Sequence, residues 1–537
     1  MWKKLLITGC VTFSLLSGGT LSAQPSCEIK EEVTSEQLDR TQKELVAMMK
    51  ELKNDSYFQT ELDKAAVQSS LSKRMAAYKD LTVRLLSVLE IQAELEWMKP
   101  EAIQEALGIM KKSSGFDAVL ADKRFGELKS LLAGGFDGIY TGDAQAIDKA
   151  NKTLTLKRKL MLMSPDVNVD KMLTVKFDLG ERANFVGAGS LGIQPNNWSN
   201  LSSASRKNFK AQLVELSGLQ SGELSEKVLY KPAVDGSSVT DLVLNWDGKR
   251  LMFTALDTTR RWQVHELDIN NGEAKQVTNI PEPDLEFFDG TYLPDGRMLA
   301  ISNIGYQGVP CVNGSDAVGN MVLYDPSNGY LRRLTFDQDA NWHPVVMANG
   351  KVMYVRWEYT DLTHYFSRIV MHMNPDGTEQ KSLYGSGSMF PNSIFDVQPL
   401  PKHTNRFVGV ISGHHGVARS GRLMIFDPAK SRKEEKGMIQ ELPFRGRPII
   451  PEVKDELVNG VWPQFIKPYP LTDETFLVTA KLSPYSRWGI YLVDIYDNLT
   501  LVANADDAGM IYSVPVKSTP IPPAIPDRIK PNEKEAT

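Results

Sequence analysis

The segment MVLYD, residues 321–325, is one of six copies of an apolar strand that ends at a polar turn residue. The six copies are LVELS (213–217), VHELD (264–268), MVLYD (321–325), IVMHMN (369–374), LMIFD (423–427) and IYLVD (490–494). Their last residues lie 51, 57, 49, 53 and 67 positions apart. Repetition at such a period predicts a series of similar structural units that pack on their neighbours.

Each copy is one strand of a larger unit. Turns of the Asp-Gly or Asn-Gly type precede three of the copies, at 247–248, 295–296 and 349–350, and such dipeptides between apolar strands are a strong hairpin signal. A further strand often follows the repeated one, as in YLRRLT at 330–335. We therefore expect four strands per unit, named A to D, with A and B joined by the hairpin and C formed by the repeated segment. Four-stranded units at this spacing are typical of a β-propeller.

The first unit has no A strand before it. Its B strand fits residues 172–177, and residues 510–517 near the other end of the sequence can supply the A strand. Pairing of the two ends would close the ring and remove exposed sheet edges. The predicted fold is mainly β: a six-bladed β-propeller over residues 166–518, closed in this way and followed by a tail at 519–537.

Residues 24–165 are predicted to form an α-helical region. Apolar side chains recur there at three- and four-residue steps between charged ones, which is the pattern of a helix with one buried face. The recurring residues are Leu71, Met75, Tyr78, Leu81, Leu85 and Leu89. Pro100 suits the first turn of another helix, and Asp143 can cap one that runs through Lys159. We expect this region to pack beside the propeller or to bind a partner protein, and not to hold a cofactor.

Residues 1–23 are predicted to be a secretory signal peptide. Lys3 and Lys4 follow Trp2, an apolar run covers residues 5–16, and small residues lead to a cleavage site after Ala23. The apolar run is shorter than the roughly 20 residues that a membrane span needs. Lipoprotein anchoring through Cys10 is the alternative. The protein is therefore expected to be exported, to the periplasm or outside the cell, with no transmembrane span.

Composition excludes one broad class of function. The 537 residues carry a formal net charge of −5, with a pI near 5.9, and no basic cluster offers a surface for nucleic acid.

The length suggests two or three domains. After cleavage only Cys27 and Cys311 remain, too few for a disulfide framework. Cys311 is therefore predicted to be a free thiol.

The propeller topology predicts which loops share a face. The B–C loops and D–A connections open on one face, and the tight A–B turns and the C–D turns open on the other. The B–C loops vary in length and chemistry, and binding residues are commonly carried on such loops. They are residues 303–320 with Cys311, 358–366 with His364, 413–421 with His414 and His415, and 481–487.

A second set of polar residues is expected near the same face. Six residues before the A–B turn, four units carry an acid or an imidazole at the start of the innermost strand: Asp241, Asp289, His343 and Asp396. At the mouth of a central channel, such side chains are candidate ligands for zinc or calcium, with Cys311 and His343 as the metal candidates. The alternative is that each Asp accepts hydrogen bonds from nearby backbone amides and shapes its own loop.

No catalytic signature accompanies these residues. The sequence contains no Gly-x-Ser-x-Gly nucleophile elbow, no phosphate-binding glycine loop and no His-Glu-x-x-His motif. His265 and His372 fall within C strands and are expected to be structural. Catalytic residues are therefore not assigned from the sequence.

Several longer motifs occur in a distinctive order. They are GVPCVNGSD (308–316), RWEYTD (356–361), HYFSR (364–368), MNPDG (373–377), GHHGV (413–417) and PIPPAIPDR (520–528). Together they resemble the middle-domain family of the hydrazine synthase α subunit, a six-bladed propeller, over roughly residues 165–530.

The resemblance implies a fold more than an activity. Hydrazine synthase works with c-type haems, which are attached through Cys-x-x-Cys-His, and this sequence has no such motif. Covalent haem and hydrazine synthesis are therefore not expected. In that family a propeller cysteine ligates zinc beside a haem, and Cys311 looks like the matching position, but the haem-bearing segment with the other ligand has no counterpart here.

Two functions remain open from the sequence. The first is an exported propeller that binds or scaffolds a partner protein, through its helical region or its loop-rich face. The alternative is a metal-dependent enzyme, or a subunit that completes a redox complex, with its site at the channel mouth.

Overall fold

The computed structural model describes residues 33–178, 199–207, 209–358, 368–413, 419–505 and 508–530. Over those ranges the chain forms six α-helices and then 24 β-strands. Its contacts divide it into two compact units. Unit 1 covers residues up to Gln92 together with Phe136–Ala150, and unit 2 covers Ala93–Gly135 together with the chain from Asn151 onward.

The helices begin where capping residues are available. Thr34 and Gln37 form a capping box at the start of the first helix, Pro100 takes the first turn of the fourth, and Asp117 caps the fifth through the Leu120 N–H. Asp143 accepts a hydrogen bond from the Gln145 N–H at the start of the sixth, as predicted. The helices are α1 Ser35–Met49, α2 Ser56–Ala66, α3 Leu71–Glu96, α4 Pro100–Met110, α5 Ala118–Leu132 and α6 Ala144–Met161.

The apolar stripe predicted for the helical region forms the buried face of α3. Met75, Tyr78, Leu81, Leu85 and Leu89 are all buried, which confirms this helix and its periodicity. Leu71, at the first turn, is instead 38% exposed. No helix in the described residues is long and apolar enough to cross a membrane. The predicted signal peptide, with Cys10, and Cys27 lie outside the described residues.

The sequence placed a boundary near residue 165, whereas α4 and α5 belong to unit 2. Ile103 and Leu107 of α4 and Leu128 of α5 share one hydrophobic core with strand residues such as Leu216 and Ile490. Burial of apolar area is the dominant stabilising term in folding, and these helices and the strands bury theirs in one shared core.

The strands are short and follow one another closely. They are β1 Lys171–Asp178, β2 Ala211–Ser217, β3 Ser225–Tyr230, β4 Val239–Leu244, β5 Arg250–Leu256, β6 Trp262–Asp268, β7 Ala274–Gln276, β8 Phe287–Tyr292, β9 Met298–Ser302, β10 Asn320–Asp325, β11 Tyr330–Arg333, β12 Asn341–Val346, β13 Val352–Trp357, β14 Arg368–Met373, β15 Lys381–Tyr384, β16 Ser393–Pro399, β17 Phe407–Ser412, β18 Arg422–Phe426, β19 Met438–Leu442, β20 Gln464–Pro470, β21 Thr475–Lys481, β22 Gly489–Asp494, β23 Leu499–Ala503 and β24 Ala508–Pro515. Short 3-10 helices cover Asp137–Thr141, Leu201–Ser203, Pro310–Val312 and Glu434–Gly437.

These strands form five sheets. Four of them have four antiparallel strands, in the orders β24-β1-β2-β3, β4-β5-β6-β7, β8-β9-β10-β11 and β20-β21-β22-β23. The fifth has eight strands and consists of β12 to β15 and β16 to β19, which are joined by a single parallel residue pair, Arg368 with Ser393. We number the resulting four-stranded groups 1 to 6 in chain order, with β24 in group 1.

The sequence repeat corresponds to one strand of each group. The six repeated segments form β2, β6, β10, β14, β18 and β22, the third strand of every group. In group 1, β24 pairs antiparallel with β1, from Met172 opposite Pro515 to Asp178 opposite Ala508. The first and last strands of the sheet region are therefore hydrogen-bonded neighbours.

The innermost strands contact one another in cyclic order. They are β4, β8, β12, β16, β20 and β24, and the last of them contacts the first. Each carries a register shift against its partner strand, between Thr240 and Val243 in β4, for example. A bulge of this kind turns one side chain away from the pleat, which places the residues of the candidate site.

Candidate functional site

Six bulge residues occupy corresponding positions on the innermost strands, and we call them the central ring. They are Asp241, Asp289, His343, Asp396, Lys467 and Tyr512, with φ angles of 57°, 53°, 54°, 49°, 50° and 74°. Positive φ is uncommon outside glycine, although Asp and His adopt it more readily than most residues. The structure thus brings together all four ring residues that the sequence singled out, and adds two.

Hydrogen bonds link the ring from one group to the next. The Asp289 N–H donates to Oδ2 of Asp241 (3.0 Å), and the His343 N–H donates to Oδ2 of Asp289 (2.6 Å). The Lys467 N–H donates to Oδ2 of Asp396 (3.0 Å), and the Asp241 N–H donates to the phenol oxygen of Tyr512 (2.7 Å). These side chains therefore accept hydrogen bonds from backbone amides of the neighbouring strand. The two interpretations of the sequence were that they bind a metal or that they accept hydrogen bonds from amides of their own loop.

Ion pairs complete the other side of the ring. The His343 imidazole lies between two carboxylates, with Nδ1 3.2 Å from Asp289 and Nε2 3.1 Å from Asp396. The Nε2 contact lacks hydrogen-bond alignment, so it is a close approach and not a hydrogen bond. The Lys467 ammonium lies 2.8 Å from Oδ1 of Asp396 and 5.5 Å from the ring centroid of Tyr512. Because Asp396 is almost fully buried, Lys467 is its essential counter-charge.

The pKa shifts within the ring follow from these contacts. Burial and the Asp289 charge raise the pKa of Asp241. Burial also acts to raise the pKa of Asp289, but His343 and Lys467 outweigh it and lower that pKa to about 2. Burial opposes ionisation of Asp396 as well, yet Lys467 and His343 hold its pKa below the usual range. Asp289 and Asp396 are therefore ionised at neutral pH, and the ring contains its own cation.

A buried arginine lies near these carboxylates. The Arg419 guanidinium stacks over Trp342 at 4.6 Å and over Phe395 at 4.7 Å, and it donates to the Ser199 carbonyl. Burial lowers the pKa of Arg419 to about 10, against the opposing influence of Asp396 and the other ring carboxylates. Arg419 remains charged at neutral pH and adds a second fixed cation to the centre of the molecule.

The ring faces a central cavity of about 330 Å³. The rest of the lining comes from the second halves of the innermost strands and the turns that follow them, including Trp246, Tyr292, Ala348, Pro401 and Tyr469. The cavity therefore extends from the ring toward the A–B turns. We had expected the ring to lie at a mouth on the face of the B–C loops, and the lining residues indicate the opposite direction.

The proposed metal ligands are described only in part. His364, His414 and His415 lie outside the described residues. Cys311 falls in the short helix Pro310–Val312, and its side chain is likewise outside what is described. Within the described part of the chain, no group of three or more His, Cys, Asp and Glu side chains has the arrangement of a metal site.

The two histidines expected to be structural lie in C strands. His265 is buried, stacks on Phe253 at 5.4 Å, and its Nδ1 lies 3.0 Å from the Gln263 carbonyl oxygen. His372 is partly buried in β14, and burial lowers its pKa. Neither belongs to the central ring.

Two ring members escaped the sequence analysis for identifiable reasons. Lys467 lies six residues before Asp473, in the turn between β20 and β21, but that turn lacks the Asp-Gly signature. Tyr512 lies on β24, which no hairpin follows, so there was no turn to count from. The six-residue count had already identified Asp396 before a turn without glycine, so the same count, extended from acids and imidazoles to lysine, would have found Lys467.

A second cavity, of about 470 Å³, opens beside the loop 303–320. The loop contributes Asn303, Tyr306 and Gln307, and the opposite wall carries Arg206 and Glu286 in a 2.7 Å ion pair. The loop itself is held in shape by the Val309 and Gly314 backbone amides, which donate to the Asp316 and Val309 carbonyls. This cavity lies where the sequence predicted a binding surface, and we call it the loop-face cavity.

Comparisons with known proteins support the fold. No protein-family description and no curated protein matches the chain. Among solved structures, Kuenenia stuttgartiensis hydrazine synthase matches with a TM-score of 0.51 at 14% identity, over 68% of this chain and 49% of the other. TolB from Acinetobacter baumannii matches at 10% identity over 68% of this chain and 72% of the other, with a TM-score of 0.40. The nidogen/laminin complex matches at 11% identity over 64% and 99%, with a TM-score of 0.37.

The first of these likenesses shows that the chain has a propeller-type fold, mainly β. At 14% identity it shows the fold alone, and the chain spans about half the length of the hydrazine synthase chain that it matches.

Proposed function

We propose that this protein is an exported, six-bladed β-propeller that scaffolds or binds a partner. Groups 1 to 6 would be the six blades, over residues 166–518, closed by the pairing of β24 with β1. The residues of the hydrazine synthase α middle-domain motifs and the likeness in fold support this assignment.

The observation that carries the scaffold function is the network of backbone hydrogen bonds and the Lys467–Asp396 ion pair within the central ring. Its carboxylates accept hydrogen bonds from the backbone of neighbouring innermost strands, and the Lys467 ammonium lies 2.8 Å from Asp396 and balances its charge. Hydrogen bonds to charged groups are among the stronger ones in proteins. The ring therefore joins the strands around the central cavity and leaves few free ligands there.

Binding is better supported at the loop-face cavity. Its lining is polar, Tyr306 is 61% exposed beside it, and its walls come from loops and strand connections. Function in propeller-like scaffolds commonly resides in variable loops on a rigid frame. A partner that presents both hydrogen-bond donors and acceptors would suit this surface.

Thermal unfolding of the whole chain distinguishes a scaffold from a metalloenzyme. A bound metal stabilises a protein by mass action, so a scaffold should show the same melting temperature with EDTA, with zinc and with calcium. A rise of several degrees with either metal, lost in Asp396→Asn, would instead identify the ring as a metal site. An EDTA-induced drop that persists in Asp396→Asn would place a metal elsewhere and favour an enzyme or redox subunit.

The second candidate is a subunit that completes a redox site, and Cys311 carries it. Cys311 matches a family motif, and its backbone lies in a loop closed by the bridge between Gly308 and Ala317. A metal-bound cysteine is a thiolate, so it should resist alkylation until a chelator removes the metal, and Cys311→Ser should lower the metal content without unfolding the chain. Alkylation that is indifferent to chelator would rule out this role.

Export is tested separately. Mass spectrometry of protein secreted by a bacterial host should find a chain that begins at about residue 24. Lipidation at Cys10 would indicate the anchored alternative, and an intact Met1 on exported protein would contradict both.

A further inference from the structure

Lys481 is a buried lysine that the central ring does not use. It is the last residue of β21, at the start of the connection 482–488, and only 2% of it is exposed. Its Nζ lies 5.5 Å from the ring centroid of Trp462, which is itself partly exposed. The amine is therefore buried against an indole that is itself partly exposed.

No acid accompanies this amine in the described part of the chain. Gln464, which pairs with Lys481 across the sheet, is occupied elsewhere: its Nε2 donates to the Val458 carbonyl and its Oε1 accepts from the Ser420 hydroxyl. Burial without a counter-charge disfavours the ammonium form and lowers the pKa of Lys481 to about 7.

Another buried lysine shows what an ordinary structural role looks like. The Lys157 ammonium donates to the carbonyl oxygens of Trp97 and Leu499, each at 2.8 Å. Two hydrogen bonds hold that amine and occupy it. Among the described residues, the contact given for the Lys481 amine is the face of the Trp462 ring.

The fold does not require a lysine at this place. On each innermost strand, the residue two positions before the ring residue pairs with a residue of the adjacent strand. That partner is Ala255 in group 2, Arg356 in group 4 and Ala480 in group 6. The residue after each of these is Leu256, Trp357 and Lys481, and the first two are buried apolar side chains. The equivalent residue is Phe177 in group 1, Asn303 in group 3 and Ser412 in group 5, so the position takes apolar or uncharged polar residues and no other group has a lysine there.

We propose that Lys481 is a nucleophilic amine that forms an imine with small aldehydes or ketones, a property beyond the scaffold function. Its nitrogen lone pair adds to the carbonyl carbon while a proton moves from nitrogen to oxygen, which gives a carbinolamine. Loss of one water molecule then yields the imine. An uncharged amine is the form that attacks, and desolvated lysines are used in this way by enzymes that make Schiff bases.

Reductive trapping of the full chain tests this chemistry. The protein is treated with limiting acetaldehyde and cyanoborohydride at pH 7, which reduces the imine to a stable N-ethyl group, and each lysine is followed by peptide mass spectrometry. At pH 7 an amine with an ordinary pKa near 10.4 is uncharged in roughly one molecule in 2,500. We expect Lys481 to be modified at least tenfold faster than the exposed lysines and faster than Lys157.

A pH series separates intrinsic reactivity from mere access. The rate at Lys481 should level off just above pH 7, whereas the rate at exposed lysines should keep rising toward pH 10. Lys481→Leu should remove the fast site while keeping the far-ultraviolet circular dichroism and cooperative unfolding. A Lys481 that is modified no faster than exposed lysines, or not at all, would overturn the proposal, as would a rate that rises without a plateau. None of these outcomes depends on the metal or partner tests above.

Discussion

Individual charged residues at the centre of this molecule act through neighbours on other strands. Lys467 shows this most clearly, because it contacts Asp396 on the preceding innermost strand and the Tyr512 ring on the following one. Burial acts to lower the pKa of Lys467, yet Asp396 and the Tyr512 environment raise it above its ordinary value. A lysine in this position supplies a covalently attached cation beside the buried Asp396 carboxylate.

Replacing Lys467 by Met should therefore destabilise the fold strongly. Breaking a buried ion pair from one side typically costs about 3–5 kcal/mol, because the other charge stays buried without a partner. Denaturant unfolding measures this change in the free energy of unfolding. Lys275→Met is a matched control, since Lys275 is largely exposed beside Glu266, and such pairs contribute about 0–1 kcal/mol.

The pH dependence of this effect has a defined direction. Lys467 lowers the pKa of Asp396 in the folded state, so the pair contributes stability above the unfolded pKa of about 3.9. The stability gap between wild type and Lys467→Met should therefore be present at pH 7 and shrink as the pH falls below about 4. A gap that stays constant over this range would contradict the ion-pair explanation.

Lys481 leads to the opposite prediction, because its burial is uncompensated. Its folded pKa of about 7 lies below the unfolded value of about 10.4. The unfolded chain thus binds more protons across this window, and wild-type stability should rise as the pH increases from 7 to 10. At pH 6–7, Lys481→Leu should be more stable than wild type by a few kcal/mol, the order of magnitude that the pKa shift of Lys481 sets. This difference in the free energy of unfolding should disappear near pH 10. Lys157→Leu, which loses two hydrogen bonds, should destabilise, and a destabilised Lys481→Leu would show that the lysine is structural.

At the scale of elements, the C-terminal tail is a structural strap on the face of the A–B turns. The Thr519 N–H donates to the Trp246 carbonyl, Asp527 forms a two-point ion pair with Arg297 at 2.7 and 2.8 Å, and the Arg528 N–H donates to Asp376. The tail thus contacts groups 2, 3 and 4 in turn. Gly350 has a φ of +81°, and a Cβ there would lie 2.1 Å from the Pro523 carbonyl oxygen, so the tail passes too close for another residue.

Arg297→Ala should release this strap with little effect on global stability. A partly exposed ion pair contributes about 1 kcal/mol or less, but local opening governs proteolysis. We expect trypsin to cleave after Arg528 several-fold faster in Arg297→Ala, with a melting temperature near that of wild type. Arg250→Ala is the matched control, because Arg250 follows the equivalent turn and its partners are Asp247 and Glu266 of group 2 and the Tyr292 ring of group 3, none of which belongs to the tail. Equal cleavage in both variants would mean that Arg297 does not hold the tail.

For the whole molecule, local patterns were informative where they reflect local physics. The third strands, the hairpins and the first turn of α4 follow from alternation and turn chemistry, and all were predicted. The helices α4 and α5 belong to unit 2 because they share a core with strands that are distant in sequence, such as β22. No local sequence pattern encodes such a shared core. The direction of the central cavity was likewise inaccessible, because it depends on which side chains surround the bulges after the strands have assembled.

The pairing of the two chain ends yields a prediction about the whole fold. A chain that ends at residue 507 lacks β24, which leaves β1 as an exposed edge and removes the Tyr512 phenol that accepts the Asp241 N–H. It also removes the buried Met510, Ile511 and Val514. Burial of each large apolar side chain contributes about 1.5–3 kcal/mol, and a whole domain is stable by only about 5–15 kcal/mol.

We therefore expect the chain that ends at residue 507 to lose cooperative unfolding altogether, as measured by circular dichroism and calorimetry. A chain that ends at residue 517 is the matched control, because it keeps β24 and Tyr512 and lacks only the strap. That control should unfold cooperatively, with a modestly lower melting temperature. Cooperative unfolding of the shorter chain at an unchanged temperature would show that β24 is an accessory strand, and the ring would then be stable without closure by its two ends.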